Sequence, residues 1–155
     1  MAKQCDHTSV GVFVRDGDKL LLIERARPPY GFAVPAGHVD GDATFEIAAA
    51  RELKEEVGLD AGPMKLIFEG RKNNPCRRDG GTWHEWRLYD TTRVGELRRS
   101  EDETKRANWY DKDEIRLLAG KTEARLGSKI SDEEWDKSPG LEPVMYEFFK
   151  ELKLI

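Results

Sequence analysis

Between Arg51 and Gly58 the chain reads Arg-Glu-Leu-Lys-Glu-Glu-Val-Gly, a carboxylate-rich run that stops at a glycine. At about 100° per residue in a helix, Glu52, Glu55 and Glu56 fall within roughly one third of its circumference. Three acids on one face gain nothing for helix formation, because like charges one turn apart repel. A divalent cation reverses the sign of that interaction. Oxygen donors with little sulfur or imidazole nearby suit a hard ion, Mg²⁺ or Mn²⁺, and do not suit zinc. Arg51 stands four residues before Glu55, so the two can pair along the helix and hold the acids in place. The opposite face carries Ala50, Leu53 and Val57, which are expected to pack inward.

Such a strip needs a scaffold on both sides. Phe32-Ala33-Val34 reads as a strand delivering the chain to Pro35-Ala36-Gly37, and the Gly- and Asp-rich loop from Gly37 to Thr44 can bend sharply. Thr44 is placed to cap a helix running to about Val57, although position 47, where a capping box wants glutamate, is Ile47. Gly58 ends that helix.

Spaced in this way, Gly37, Arg51, Glu52, Leu53, Glu55, Glu56, Gly58 and Leu59 match the pattern G-x5-E-x7-R-E-U-x-E-E-x-G-U, with U aliphatic, in every defined position except the first glutamate, where Ala43 stands with Asp42 one residue before it. The chain therefore resembles the Nudix hydrolases. The resemblance implies an α/β/α sandwich around a mixed sheet, with Mg²⁺ or Mn²⁺ held by Glu52, Glu55, Glu56 and the Ala36 carbonyl. It implies cleavage of a pyrophosphate link by water attack on phosphorus, the cation bridging phosphate oxygens and neutralising developing charge. The missing glutamate would support the loop and the arginine in that family. Its absence makes a nucleotide-sensing module of weak activity the alternative to an enzyme.

A general base is implied as well, from the helix (Glu52 or Glu55) or from a later loop, where Glu101 and Glu103 stand and Glu103 is preferred by its distance from Trp109. Arg25 and Arg27 follow the second strand and can grip phosphate bidentately. Arg77 and Arg78 are similar but lie on a looser loop, and His38 adjoins the box glycine. Trp83, Trp86 and Tyr89 are candidates to stack a base. Strand alternation puts Trp83, Glu85, Arg87 and Tyr89 on one face and His84, Trp86 and Leu88 on the other, so both sets cannot face one pocket. Cys76 with His84 lacks a matching pair and is not read as a zinc site. Pro75, sixteen residues after Leu59, resembles a marker of the ADP-ribose branch. Substrate choice lies between ADP-ribose, a nucleotide sugar and a nucleoside triphosphate.

The rest of the chain reads as one αβ unit. Ser9–Val14 and Lys19–Arg25 form a hairpin around the Asp16-Gly17 turn, and the apolar run Leu20–Ile23 is expected to be buried on both sides. Met64–Arg71 and Thr82–Asp90 read as strands joined by the polar loop from Lys72 to Gly81, and 106–110 as a short strand. A helix is expected to open at Asp111 and run through Leu118, and another to begin at Pro143 with Val144, Met145, Phe148, Phe149 and Leu152 in one stripe. The segment 120–139 shows no clear period. With 155 residues, one domain spanning 1–155 is the expectation.

A net charge of −4 argues against broad nucleic-acid binding and disfavours RNA decapping. No apolar run nears the roughly 20 residues a membrane helix needs, and the start lacks a signal-peptide core. A cytoplasmic protein with thiols at Cys5 and Cys76 is expected, acting on a small nucleotide-derived substrate. Homodimerisation is common in the resembled family.

Overall fold

The computed structural model describes residues 2–155. In order, the elements are β1 (Thr8–Asp16), β2 (Lys19–Arg25), β3 (Phe32–Ala33), β4 (Ala36–Gly37), α1 (Phe45–Val57), β5 (Asp60–Ala61), β6 (Lys65–Lys72), β7 (His84–Val94), β8 (Thr104–Tyr110), α2 (Lys112–Leu126), α3 (Asp132–Lys137) and α4 (Pro143–Glu151). The sheet is mixed. β1 pairs antiparallel with β2 and β4 but parallel with β7 over Thr8 to Arg15, while β6 joins β7 and β8 joins β2 antiparallel.

Two apolar layers flank the sheet. On one side Val10, Val12, Leu21 and Ile23 meet Ala49, Leu53 and Val57 of α1. On the other Phe13, Leu20, Leu22, Trp86 and Leu88 meet Ile115 and Leu118 of α2 and Met145, Phe148 and Phe149 of α4. Adjacent residues of β1 and β2 point to opposite faces, so both faces are apolar because both are covered. Sandwich and mixed sheet follow the expected architecture. Full burial of Leu53 and Val57 is worth about 1.5–3 kcal/mol each and glues α1 to the sheet by its back. Ala48 and Ala49, rather than the expected Ala50, complete that face.

The bounds of α1 are those its capping residues dictate. Thr44 accepts the Ile47 backbone N–H at 3.0 Å, so the cap forms without a capping-box glutamate, and Gly58 closes the helix at φ +73°. Other bounds differ from expectation. β7 continues past Asp90 to Val94 because β5 pairs with its end. α2 continues past Leu118 to Leu126, burying only Ile115, Leu118, Ala119 and Thr122, and α3 follows within the segment that showed no period. A helix that buries so little leaves a faint amphipathic signal. No helix among the described residues is long and apolar enough to cross a membrane.

Candidate active site

The cleft lies where β4, the C-terminal half of α1 and several loops converge. Glu52 and Glu56 line it from α1, and Arg25, Arg27, Ala36, His38, Arg77 and Glu103 border it from elsewhere. Arg51 ties this end of the molecule together. Its Nε donates to Asp42 Oδ2 at 2.8 Å, Nη1 to Glu52 Oε1 at 2.9 Å and Glu55 Oε2 at 3.2 Å, and Nη2 to the His38 carbonyl at 2.8 Å. Asp42 thus brings an acid onto Arg51 although position 43 holds alanine. The loop turns through Asp40 (φ +54°) and Gly41 (φ +84°), which brings the residue before Ala43 onto the guanidinium, while Ala43 itself is exposed.

Gly37 is needed for a different reason. A Cβ there would stand 2.1 Å from the Glu52 carboxylate. The box glycine gives Glu52 its room, and Arg51 pins the carboxylate in it.

Burial dominates the electrostatics. Desolvation pushes Glu52 up to about 7 against the pull of Arg51, and pushes Glu56 well above the carboxylate range, where the nearby Glu52 charge adds to it and Arg25 opposes it. Glu56 Oε2 is buried with no hydrogen-bond partner. An orphaned carboxylate oxygen beside a second buried carboxylate fits a hard divalent ion, which supplies the missing partner and removes the repulsion.

Some expected site residues lie apart from this group. Glu55 is bound to Arg51 and about half exposed, outside the cleft lining. Trp83 is also outside it: its ring stacks on His7 at 4.0 Å and 6°, with the Arg71 guanidinium 3.9 Å from the ring centre. Tyr89 faces α1 and donates its hydroxyl to Glu46 Oε1 at 2.9 Å. The cleft tryptophan is Trp86, buried and donating Nε1–H to Asn74 Oδ1 at 2.9 Å, which anchors the loop bearing Pro75 and Arg77. Glu142 and Asn74 are among the cleft residues that escaped sequence reasoning. Glu142, buried and held above the usual carboxylate range by desolvation, reads in sequence only as the residue before a helix proline. Asn74 reads only as loop.

A NUDIX domain family model matches residues 6–129. An ADP-ribose pyrophosphatase of Methanocaldococcus jannaschii is 34% identical over 119 residues, covering 73% of this chain and 68% of that protein. A NAD-capped RNA hydrolase, NudC, of Mycobacterium tuberculosis is 28% identical over 130 residues, covering 76% of this chain but only 37% of that longer protein. Among solved structures, a NUDIX family hydrolase from Clostridium perfringens superposes with a TM-score of 0.63 at 18% identity, covering 95% of each chain.

Proposed function

The chain belongs to the Nudix hydrolase family, and from that membership we propose that it is a Mg²⁺-dependent pyrophosphohydrolase that cleaves a nucleoside diphosphate linked to another group. The single observation that carries this reading is the buried, unpartnered carboxylate oxygen of Glu56, a residue that lines the same cleft as Glu52. A folded protein without a cation there would bear the cost of two crowded acids for no return.

Glu52 and Glu56 hold the cation in this reading, with the Ala36 carbonyl beside them and Glu55 bracing the helix face through Arg51. When bound, the cation neutralises phosphate charge and activates water. Arg51 orients Glu52 and favours its ionised form against the desolvation that raises it. Arg25, Arg27 and Arg77, all on the cleft wall, bind the phosphates, since guanidinium groups match phosphate oxygens in pairs. Glu103 takes the proton of the attacking water, as the cleft acid contributed by a loop outside α1. The phosphorus–oxygen bond of the bridge then breaks, and the departing phosphate leaves with its charge held by the arginines.

Among substrates ADP-ribose ranks first. Pro75 borders the cleft, and the archaeal relative is named for that substrate. A panel of ADP-ribose, nucleotide sugars and nucleoside triphosphates with Mg²⁺, scored for nucleoside monophosphate, phosphate and pyrophosphate, tests it. AMP released from ADP-ribose, and lost on chelation, is the expected result. No turnover of any member overturns the enzyme reading.

The sensing alternative rested on Ala43; the Asp42–Arg51 ion pair at 2.8 Å supports the enzyme reading over it. Asp42→Ala is expected to lower kcat about tenfold, because Arg51 loses one of its anchors and Glu52 its fixed pose. Asp42→Ala combined with Ala43→Glu should restore most of that loss. A single variant with wild-type kcat would remove Asp42 from the site.

A further inference from the structure

Four side chains with no part in the chemistry above converge at the edge of the cleft. They are Cys5, just before β1; His38, just after β4; Cys76, in the loop between β6 and β7; and His84, at the start of β7. One donor atom from each lies within 4.8 Å of every other. Cys5 Sγ is 3.4 Å from His84 Nε2, 3.7 Å from His38 Nε2 and 3.8 Å from Cys76 Sγ. A tetrahedral zinc ion with ordinary bond lengths has edges of about 3.8 Å between sulfurs and about 3.6 Å between sulfur and nitrogen. The three measured edges lie within a few tenths of an ångström of those values.

Hydrogen bonding alone does not account for the convergence. Cys5 Sγ faces three potential metal-ligand atoms at once, and a thiol is only a weak hydrogen-bond donor and acceptor. A disulfide would need the sulfurs about 2.05 Å apart, and they stand 3.8 Å apart. Each sulfur also accepts a backbone N–H from the residue two places on, His7 to Cys5 at 3.3 Å and Arg78 to Cys76 at 3.4 Å, which suits thiolates. A neutral imidazole has one ring nitrogen with a free lone pair, and both His38 and His84 turn Nε2 towards Cys5 Sγ. Two thiolates, two neutral imidazoles and Zn²⁺ sum to zero charge, which suits a largely buried place.

We propose that Cys5, His38, Cys76 and His84 form a structural Cys₂His₂ zinc site distinct from the carboxylate site on α1. With four protein ligands the coordination shell is closed, so the site staples rather than reacts. Each cysteine gives up its proton to solvent as the metal enters. The frame for it is built into the backbone. Cys5 N–H donates to the Asp79 carbonyl at 2.9 Å and Cys76 N–H to the Gly81 carbonyl at 2.8 Å, and a Cβ on Gly81 would stand 2.1 Å from Cys76 Sγ. The staple fastens the loop bearing Pro75 and Arg77 to the segment that follows Gly37. It thereby fixes one wall of the cleft against the other. Cys76 and His84 are thus completed by the pair, Cys5 and His38, that their spacing in sequence does not reveal.

The full chain, isolated from zinc-supplemented cells under reducing conditions, is expected to carry one zinc per chain through gel filtration in excess Mg²⁺. After removal of zinc, Co²⁺ should restore the visible bands of a tetrahedral site together with thiolate charge transfer. Cys5→Ser and Cys76→Ser should each abolish the charge-transfer band or reduce it by half. Glu56→Gln should leave zinc content and spectrum unchanged, which separates this site from zinc adventitiously held by the carboxylates. Zinc-free protein whose thiols both react freely in the presence of stoichiometric zinc, cobalt bound without thiolate charge transfer, or a Cys5–Cys76 disulfide in the isolated protein would each overturn the proposal. Should the serine variants fail to fold, the wild-type metal content and cobalt spectrum decide. None of these measurements requires turnover, so a missing zinc and a missing hydrolase activity are separate results.

Discussion

Glu56→Gln is expected to lower kcat by about 10³-fold, equivalent to ~4 kcal/mol of transition-state stabilisation, while leaving the metal-free protein at least as stable to heat as the parent. The two halves of that result have one cause. Glu56 is 5% exposed and its Oε2 has no partner, so in the absence of a cation it is an uncompensated buried acid. Glutamine keeps the shape and discards the charge, which relieves the folded protein but removes a ligand from the cation. Steady-state turnover at saturating Mg²⁺ and a melting curve in chelator read the two effects separately. Turnover within about tenfold of the parent would sink the assignment of Glu56. So would a large loss of melting temperature in chelator, because it would mean that the carboxylate is already partnered.

The second large effect is expected from one added methyl group. Gly37→Ala places a Cβ 2.1 Å from the Glu52 carboxyl carbon, far inside the roughly 3.5–4.0 Å at which non-bonded carbons rest. Glu52 cannot swing aside freely, since Arg51 Nη1 holds its Oε1 at 2.9 Å and the same arginine is bound to Asp42 and the His38 carbonyl. Either the carboxylate or the β4 backbone must shift, and about 1 Å of misplacement costs on the order of 10²-fold in rate. kcat should fall by about that factor with a modest loss of stability. Gly120→Ala is the matched control: it lies inside α2 with nothing within 4 Å of an added Cβ, and is expected to stabilise by about 0.5–1 kcal/mol without altering kcat. A Gly37→Ala enzyme with the parent's kcat would show that Glu52 does not need its present position.

Much of the site was legible before any coordinates. Glu52 and Glu56 share one helix face because of helical period alone, and Thr44 and Gly58 bound α1 because capping is settled within a few residues of chain. The hairpin of β1 and β2 was legible for the same reason. Glu55, by contrast, has the right angular position and yet faces Arg51 and solvent, because angular position does not say where the neighbouring loops end. Trp83 was a reasonable stacking candidate by type, but it lies just before β7, where its ring meets His7 and Arg71. Glu142 could not have been picked out, since it reaches the cleft only because its backbone N–H binds the Phe32 carbonyl at 2.9 Å, joining residues far apart in sequence.

By itself, then, the order of residues determined the family pattern, the carboxylate helix with its caps, the α/β class and the alternation of the strands. The helix, its caps and the strand alternation are consequences of interactions that reach no farther than about one helical turn or one strand pleat, and the family pattern is a matter of residue spacing along the chain. Tertiary structure alone decided which tryptophan borders the cleft, and that Cys5 and His38 meet Cys76 and His84. Each depends on where a loop is carried by distant pairing, above all the parallel register of β1 on β7, which sets Ser9 opposite Trp86 across the chain. Parallel pairing leaves no local turn signal in the sequence, so what it brings together becomes visible only when the sheet has formed.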